Sequence, residues 1–83
     1  MLGNPKYKVG DIVTFDSYLF DENKKREIEG VVAIVDEYGT FRDNSDVSYD
    51  IYYEECNILY KHIREDYIKG KTGEYDGNIW DKL

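Results

Sequence analysis

The sequence predicts an all-β domain, five short strands curled into a small barrel with a single helical turn before the last strand. Three observations lead there. The 83 residues include nine tyrosines and a middle rich in Val and Ile, residue types that suit a pleated, half-buried surface. From Val47 to Glu54 apolar and polar residues alternate with the period of a strand. Gly30 stands inside an apolar run, where a small sheet bends or bulges in order to curl.

Val9-Gly10-Asp11 reads as a turn into the first strand, residues 11 to 16, in which Val9, Val13 and Phe15 share one parity. Residues 16 to 25 combine an aromatic patch, Tyr18-Leu19-Phe20, with the charge run Asp21 to Lys25, and form a long excursion with a solvated tip. Arg26 to Asp36 alternates at first and then becomes continuously apolar, as a strand covered on both faces does. It is the central strand. Glu37 to Thr40 is turn chemistry, and Arg42 to Asp46 a polar loop.

In the next strand Val47, Tyr49, Ile51 and Tyr53 face the core, opposite Ser48, Asp50, Tyr52 and Glu54. A turn around Glu55-Cys56-Asn57 leads to a partner strand, Ile58 to Ile63. Its register stays open: a three-residue loop pairs Tyr52 with Tyr60, whereas a four-residue loop turns Tyr60 and His62 to the core. Leu59, Ile63 and Tyr67 also recur at helical spacing behind Asn57 as an N-cap, but strand is preferred. A helical turn at Arg64-Glu65-Asp66 and a short strand around Tyr67-Ile68-Lys69 follow. Residues 1–69 make the domain. Residues 70–83 read as an appendage, flexible or docked through Ile79-Trp80.

Those residues, Val9 to Val13, Gly30 to Val35, Ser48 to Ile51 and Leu59 to Ile68, together resemble an SH3-like barrel over roughly residues 7 to 69. In their order they are similar to the small SH3-like proteins of Gram-positive phages and prophages, such as the YorP family. The resemblance implies a monomer in a bacterial or phage cytoplasm and carries no activity or site residues. Peptide-binding SH3 domains have an Ala-Leu-Tyr-Asp-Tyr-like motif after the first strand; here Thr14-Phe15-Asp16-Ser17-Tyr18 stands there, which argues against proline-rich ligands.

Eighteen acidic against eleven basic residues give a formal charge of −7, which repels phosphate backbones and attracts basic protein surfaces. The single cysteine, Cys56, and single histidine, His62, assemble neither a disulfide framework nor a Cys/His zinc cluster. Residues 1 to 6 lack the apolar core of a signal peptide, and no apolar run approaches the ~20 residues of a membrane span. The expected setting is the reducing cytoplasm.

Gly70-Lys71-Thr72 copies the end of a phosphate-binding loop, but Glu65 replaces the required upstream glycine. His62 has acidic neighbours and no nucleophile, since Cys56 lies beyond reach along the chain. Asp43 to Asp46 lacks the alternating ligands, glycine and closing glutamate of a calcium loop. These readings predict no enzyme, no cofactor and no metal.

The tyrosines carry the binding prediction, because an apolar ring with a polar tip suits an interface. Tyr18 and Phe20, on the first excursion, and Tyr38 and Phe41, after the central strand, flank one groove in such a barrel, with Tyr52 on the outward parity. Asp16, Asp21 and Glu37 border it. An aromatic and acidic groove suits a basic or methyl-lysine-bearing protein segment; the plainer alternative is that these rings cover the barrel ends. Nucleic acid, stacked on exposed rings, is the rival partner, opposed by the charge and favoured only by the short cluster Lys24-Lys25-Arg26.

Overall fold

A computed structural model describes residues 5–17, 26–36 and 47–83. It is all-β: β1 (Asp11–Ser17), β2 (Arg26–Asp36), β3 (Ser48–Tyr53), β4 (Ile58–Arg64) and β5 (Ile68–Glu74). They form one antiparallel sheet in the order β4-β3-β2-β1-β5. The helical segments among the described residues are short 3-10 turns at Glu54–Cys56, Glu65–Tyr67 and Ile79–Asp81. No helix among these residues is long and apolar enough to cross a membrane.

Alternation sorts the strands as expected. Val13 and Phe15 of β1, Ile28 and Val32 of β2, and Tyr49, Ile51 and Tyr53 of β3 enter one core with Val47 and Ile68, and Tyr60 and Ile63 of β4 pack against it. Val9 is the exception on its parity, 46% exposed in the turn before β1. That turn depends on Gly10, at φ 97, whose N–H donates to Val32 O at 2.9 Å while the Lys8 N–H donates to Asp11 Oδ2 at 3.0 Å.

The rings of Phe15 and Tyr60 meet edge to face with centroids 5.2 Å apart. Their strands, β1 and β4, are separated in the sheet by β2 and β3, and in a flat sheet with a strand spacing of about 4.8 Å the two rings would not touch. The sheet is therefore strongly curled around its core. No ladder joins the edges β4 and β5 among the described residues; the 3-10 turn Glu65–Tyr67 connects them.

The bulge expected at Gly30 lies instead at Ala33, where the β2–β3 register shifts between Val32 and Ile34. Gly30 itself pairs regularly with Val13. Its lack of a side chain serves a close approach, since a Cβ there would lie 2.6 Å from Ile51 Cγ2 and 2.8 Å from Tyr52 O. The extra residue in β2 leaves Ile34 38% exposed and returns Val35 to the core side.

The hairpin has the longer loop. Tyr53 pairs with Ile58, and Asn57, at φ 54, closes the turn by donating its N–H to Glu54 O at 3.2 Å. Tyr60 then opposes Ile51 and reaches the core, but a second register shift, between Tyr49 and Ile51, puts Ile63 there in place of His62. His62 takes the bulge position at φ 58, exposed. The helical reading of this segment is overturned by its ladder with β3.

The last strand runs on through Glu74, so residues 70–74 belong to the sheet and the expected boundary after Lys69 is not an element boundary. Beyond it the chain docks through Ile79, 1% exposed, while Trp80 remains 50% exposed. Ile79 packs with Val31, Ala33 and Tyr52 on the outer face of the sheet, in a second apolar cluster.

Candidate functional site

The end of β1, Ile63 of β4 and the 3-10 turn before β5 frame a cleft of about 650 Å³. Phe15, 1% exposed, and Ile63 of β4 contribute apolar surface; Asp16, Ser17, Asp66, Tyr67 and Lys69 complete the wall. A 3-10 turn advances three residues per revolution and leaves too little length to bury its own side chains. Tyr67 accordingly stands 66% exposed.

That turn is held firmly. Its Glu65 N–H donates to Val47 O at 3.1 Å, and Glu65 Oε2 accepts from the Tyr49 hydroxyl at 2.7 Å and from Lys6 N at 3.2 Å. Burial, first, and then the bond to Glu65 raise the Tyr49 phenol well above its ordinary pKa of 10.0, so it is a neutral donor. At the opposite wall Lys69 Nζ lies 2.8 Å from Glu27 Oε2 and 3.1 Å from Asp16 Oδ1. The bond to Glu27, then that to Asp16, raises the Lys69 pKa and keeps it cationic.

Of the residues expected to bind, Asp16 lines this cleft. Tyr52 does not, and its place in an exposed aromatic surface is corrected: it has the outward parity foreseen, but the C-terminal segment covers that face and leaves it 6% exposed, its hydroxyl donating to Asn57 Oδ1 at 2.6 Å. Tyr18, Phe20, Asp21, Glu37, Tyr38 and Phe41 lie outside the described residues. Sequence reasoning missed Tyr67 and Asp66 by reading Tyr67 as the start of a strand. The signal was the expected turn at 64 to 66, whose exit is where an aromatic would stand free.

Cys56 is exposed at the hairpin tip, and His62 projects from the β4 bulge, its backbone N–H donating to Asp50 Oδ1 at 3.0 Å. Among the described residues no three His, Cys, Asp or Glu side chains are grouped to hold a metal ion. Gly70-Lys71-Thr72 is strand, not loop: Lys71 Nζ lies 3.2 Å from Asp11 Oδ1 and 3.1 Å from Glu74 Oε1, and Thr72 Oγ1 donates to Glu29 Oε2 at 3.1 Å. The cleft offers an apolar floor, an exposed ring and carboxylates at its rim. Comparison of the chain with protein-family models, curated proteins and solved structures finds no match.

Proposed function

We propose that this domain is a non-enzymatic protein-binding module that seats a basic segment of a partner protein in the cleft beside Tyr67. The observation that carries the reading is Tyr67 itself, 66% exposed on a firmly bonded turn, next to the apolar surface of Phe15 and Ile63. Asp16 and Asp66 also line the cleft, and the formal charge of −7 favours encounter with a cationic partner. An amphipathic ring held ready costs little ordering on binding, which is how tyrosine serves at interfaces. The resemblance to phage and prophage barrels extends the proposal to a cytoplasmic accessory protein, monomeric, that acts on a host protein.

The test is an NMR titration of the full chain with lysine- and arginine-rich peptides. Perturbations should cluster at Phe15 to Ser17, Ile63 and Asp66 to Lys69 and weaken in Tyr67→Ala. Perturbations scattered over the acidic surface, or unchanged by that substitution, defeat the reading.

A further inference from the structure

The outer face of the sheet carries a different relationship. Cross-strand register sets Ile12, Val31, Tyr52 and Leu59 in one row over β1, β2, β3 and β4. This row would be an open apolar stripe, but the chain's own C-terminal segment lies on it. Ile79 is 1% exposed among Val31, Ala33 and Tyr52, with Ile12, Leu59 and Tyr75 at the margin. Three residues on, Lys82 Nζ lies 3.5 Å from Glu54 Oε1. Asn78 caps the turn between them, its Oδ1 accepting Trp80 N–H at 3.0 Å, and Lys82 N–H donates to Ile79 O at 2.9 Å.

The attachment is short. Ile79 is the sole buried residue after Ile68, and Gly77, at φ 103, connects β5 to the turn in a left-handed conformation with no atom crowding it. We infer that the outer face is a docking groove for a protein segment that presents an aliphatic residue and, three residues later, a cation on one helical turn, and that residues 75–83 are its tethered occupant. The chemistry of the partner is read from the segment already seated: an aliphatic side chain for the row, an ammonium or guanidinium for Glu54, and an Asn, Ser or Asp to cap the turn. Glu27, Glu29 and Glu55 line the adjoining groove with Glu54, so a cationic segment is favoured there and an acidic one repelled. This groove is separate from the cleft beside Tyr67, and a partner reaches it by displacing the tail.

The experiment uses the full chain and a fluorescently labelled peptide with the sequence of residues 75–83. In the wild type the tethered segment competes at an effective concentration of order millimolar. In Ile79→Asp the groove is vacant, so the peptide should bind that variant at least about tenfold more tightly than wild type. Replacing the isoleucine of the peptide with Asp should abolish binding, and replacing its lysine with Glu should weaken it. Equal binding to both chains, or none to a folded Ile79→Asp, overturns the inference.

A second measurement needs no variant. In native-state hydrogen exchange, the amides of Asp81 and Lys82 should open well before those of Tyr52 and Ile51 and without exposing the core. Equal protection in both segments would make the tail a fixed part of the fold and overturn the inference. A wild-type dimer at millimolar concentration that excludes the peptide would reassign the groove to a second copy and overturn it also. Perturbation at Tyr67 is scored separately, so the cleft and the groove fail independently.

Discussion

The hydroxyl of Tyr49 donates to Glu65 Oε2 at 2.7 Å from a ring that is wholly buried. The Tyr49 hydroxyl oxygen in turn accepts the N–H groups of Lys6 at 3.1 Å and Tyr7 at 3.3 Å, so one phenol ties the N-terminal strand approach, β3 and the turn bearing Tyr67 together. Tyr49→Phe keeps the ring and removes the bond. It should cost about 1 to 2 kcal/mol, because the half-buried Glu65 carboxylate loses a donor and the Tyr7 N–H loses its acceptor. Urea denaturation measures the loss, and Tyr67 amide shifts should report movement of the turn.

The same bond sets an alkaline limit. The folded-state pKa of Tyr49 is raised above its ordinary 10.0, chiefly by burial and then by Glu65, so its contribution is complete below about pH 10 and is lost as pH rises beyond it. Stability should therefore fall more steeply above that pH in the wild type than in Tyr49→Phe. Thermal melts of the two chains at stepped alkaline pH compare the slopes; parallel curves would refute the assignment.

Gly30→Ala places a methyl group 2.6 Å from Ile51 Cγ2 and 2.8 Å from the Tyr52 carbonyl oxygen. One contact is a core side chain and the other backbone, so neither yields without shifting β3. A loss of about 1 to 3 kcal/mol is expected, read from the urea midpoint.

The two non-glycine residues at positive φ should respond oppositely to glycine. His62, exposed on the β4 bulge at φ 58, should gain about 0.5 to 1 kcal/mol in His62→Gly, as left-handed backbone costs a side chain energy that glycine does not pay. Asn57→Gly should instead lose about 1 kcal/mol, because Tyr52 forfeits its acceptor at 2.6 Å. Chemical denaturation of the pair decides between relief of strain and loss of a bond.

Lys69 holds Asp16 at 3.1 Å and Glu27 at 2.8 Å across the cleft wall. Lys69→Met removes that competitor, and affinity for a basic peptide should rise roughly two- to fivefold, with the gain shrinking as salt is added. Isothermal titration at low and high ionic strength measures it. A loss of affinity would instead make Lys69 part of the recognition surface.

Strand identity was legible in β1 to β3, where period-two alternation marks each strand. β4 also allowed a helix, and β5 was legible only as far as Lys69 because Gly70-Lys71-Thr72-Gly73 carries no apolar alternation. Arg26 to Asp36 is one uninterrupted strand, and Val47, Tyr49, Ile51 and Tyr53 all face the core, as alternation required. The bulges were not legible: nothing in Val32-Ala33-Ile34 or Lys61-His62-Ile63 marks an extra residue, and the shift arises only when the two strands must match their partner's register. The same applies to Tyr52. Parity placed it outward, and a segment distant in sequence then covered it.

The sequence by itself determined an acidic, all-β domain, the faces of its strands and the absence of a disulfide framework, because composition and period-two alternation are local properties of the chain. Tertiary structure decided the rest. Whether Tyr60 meets Phe15, whether Tyr67 stands free and whether Ile79 rather than Trp80 is buried all depend on which strands become neighbours once the sheet curls. Those contacts join residues far apart in the chain, and close packing, not local preference, selects among them.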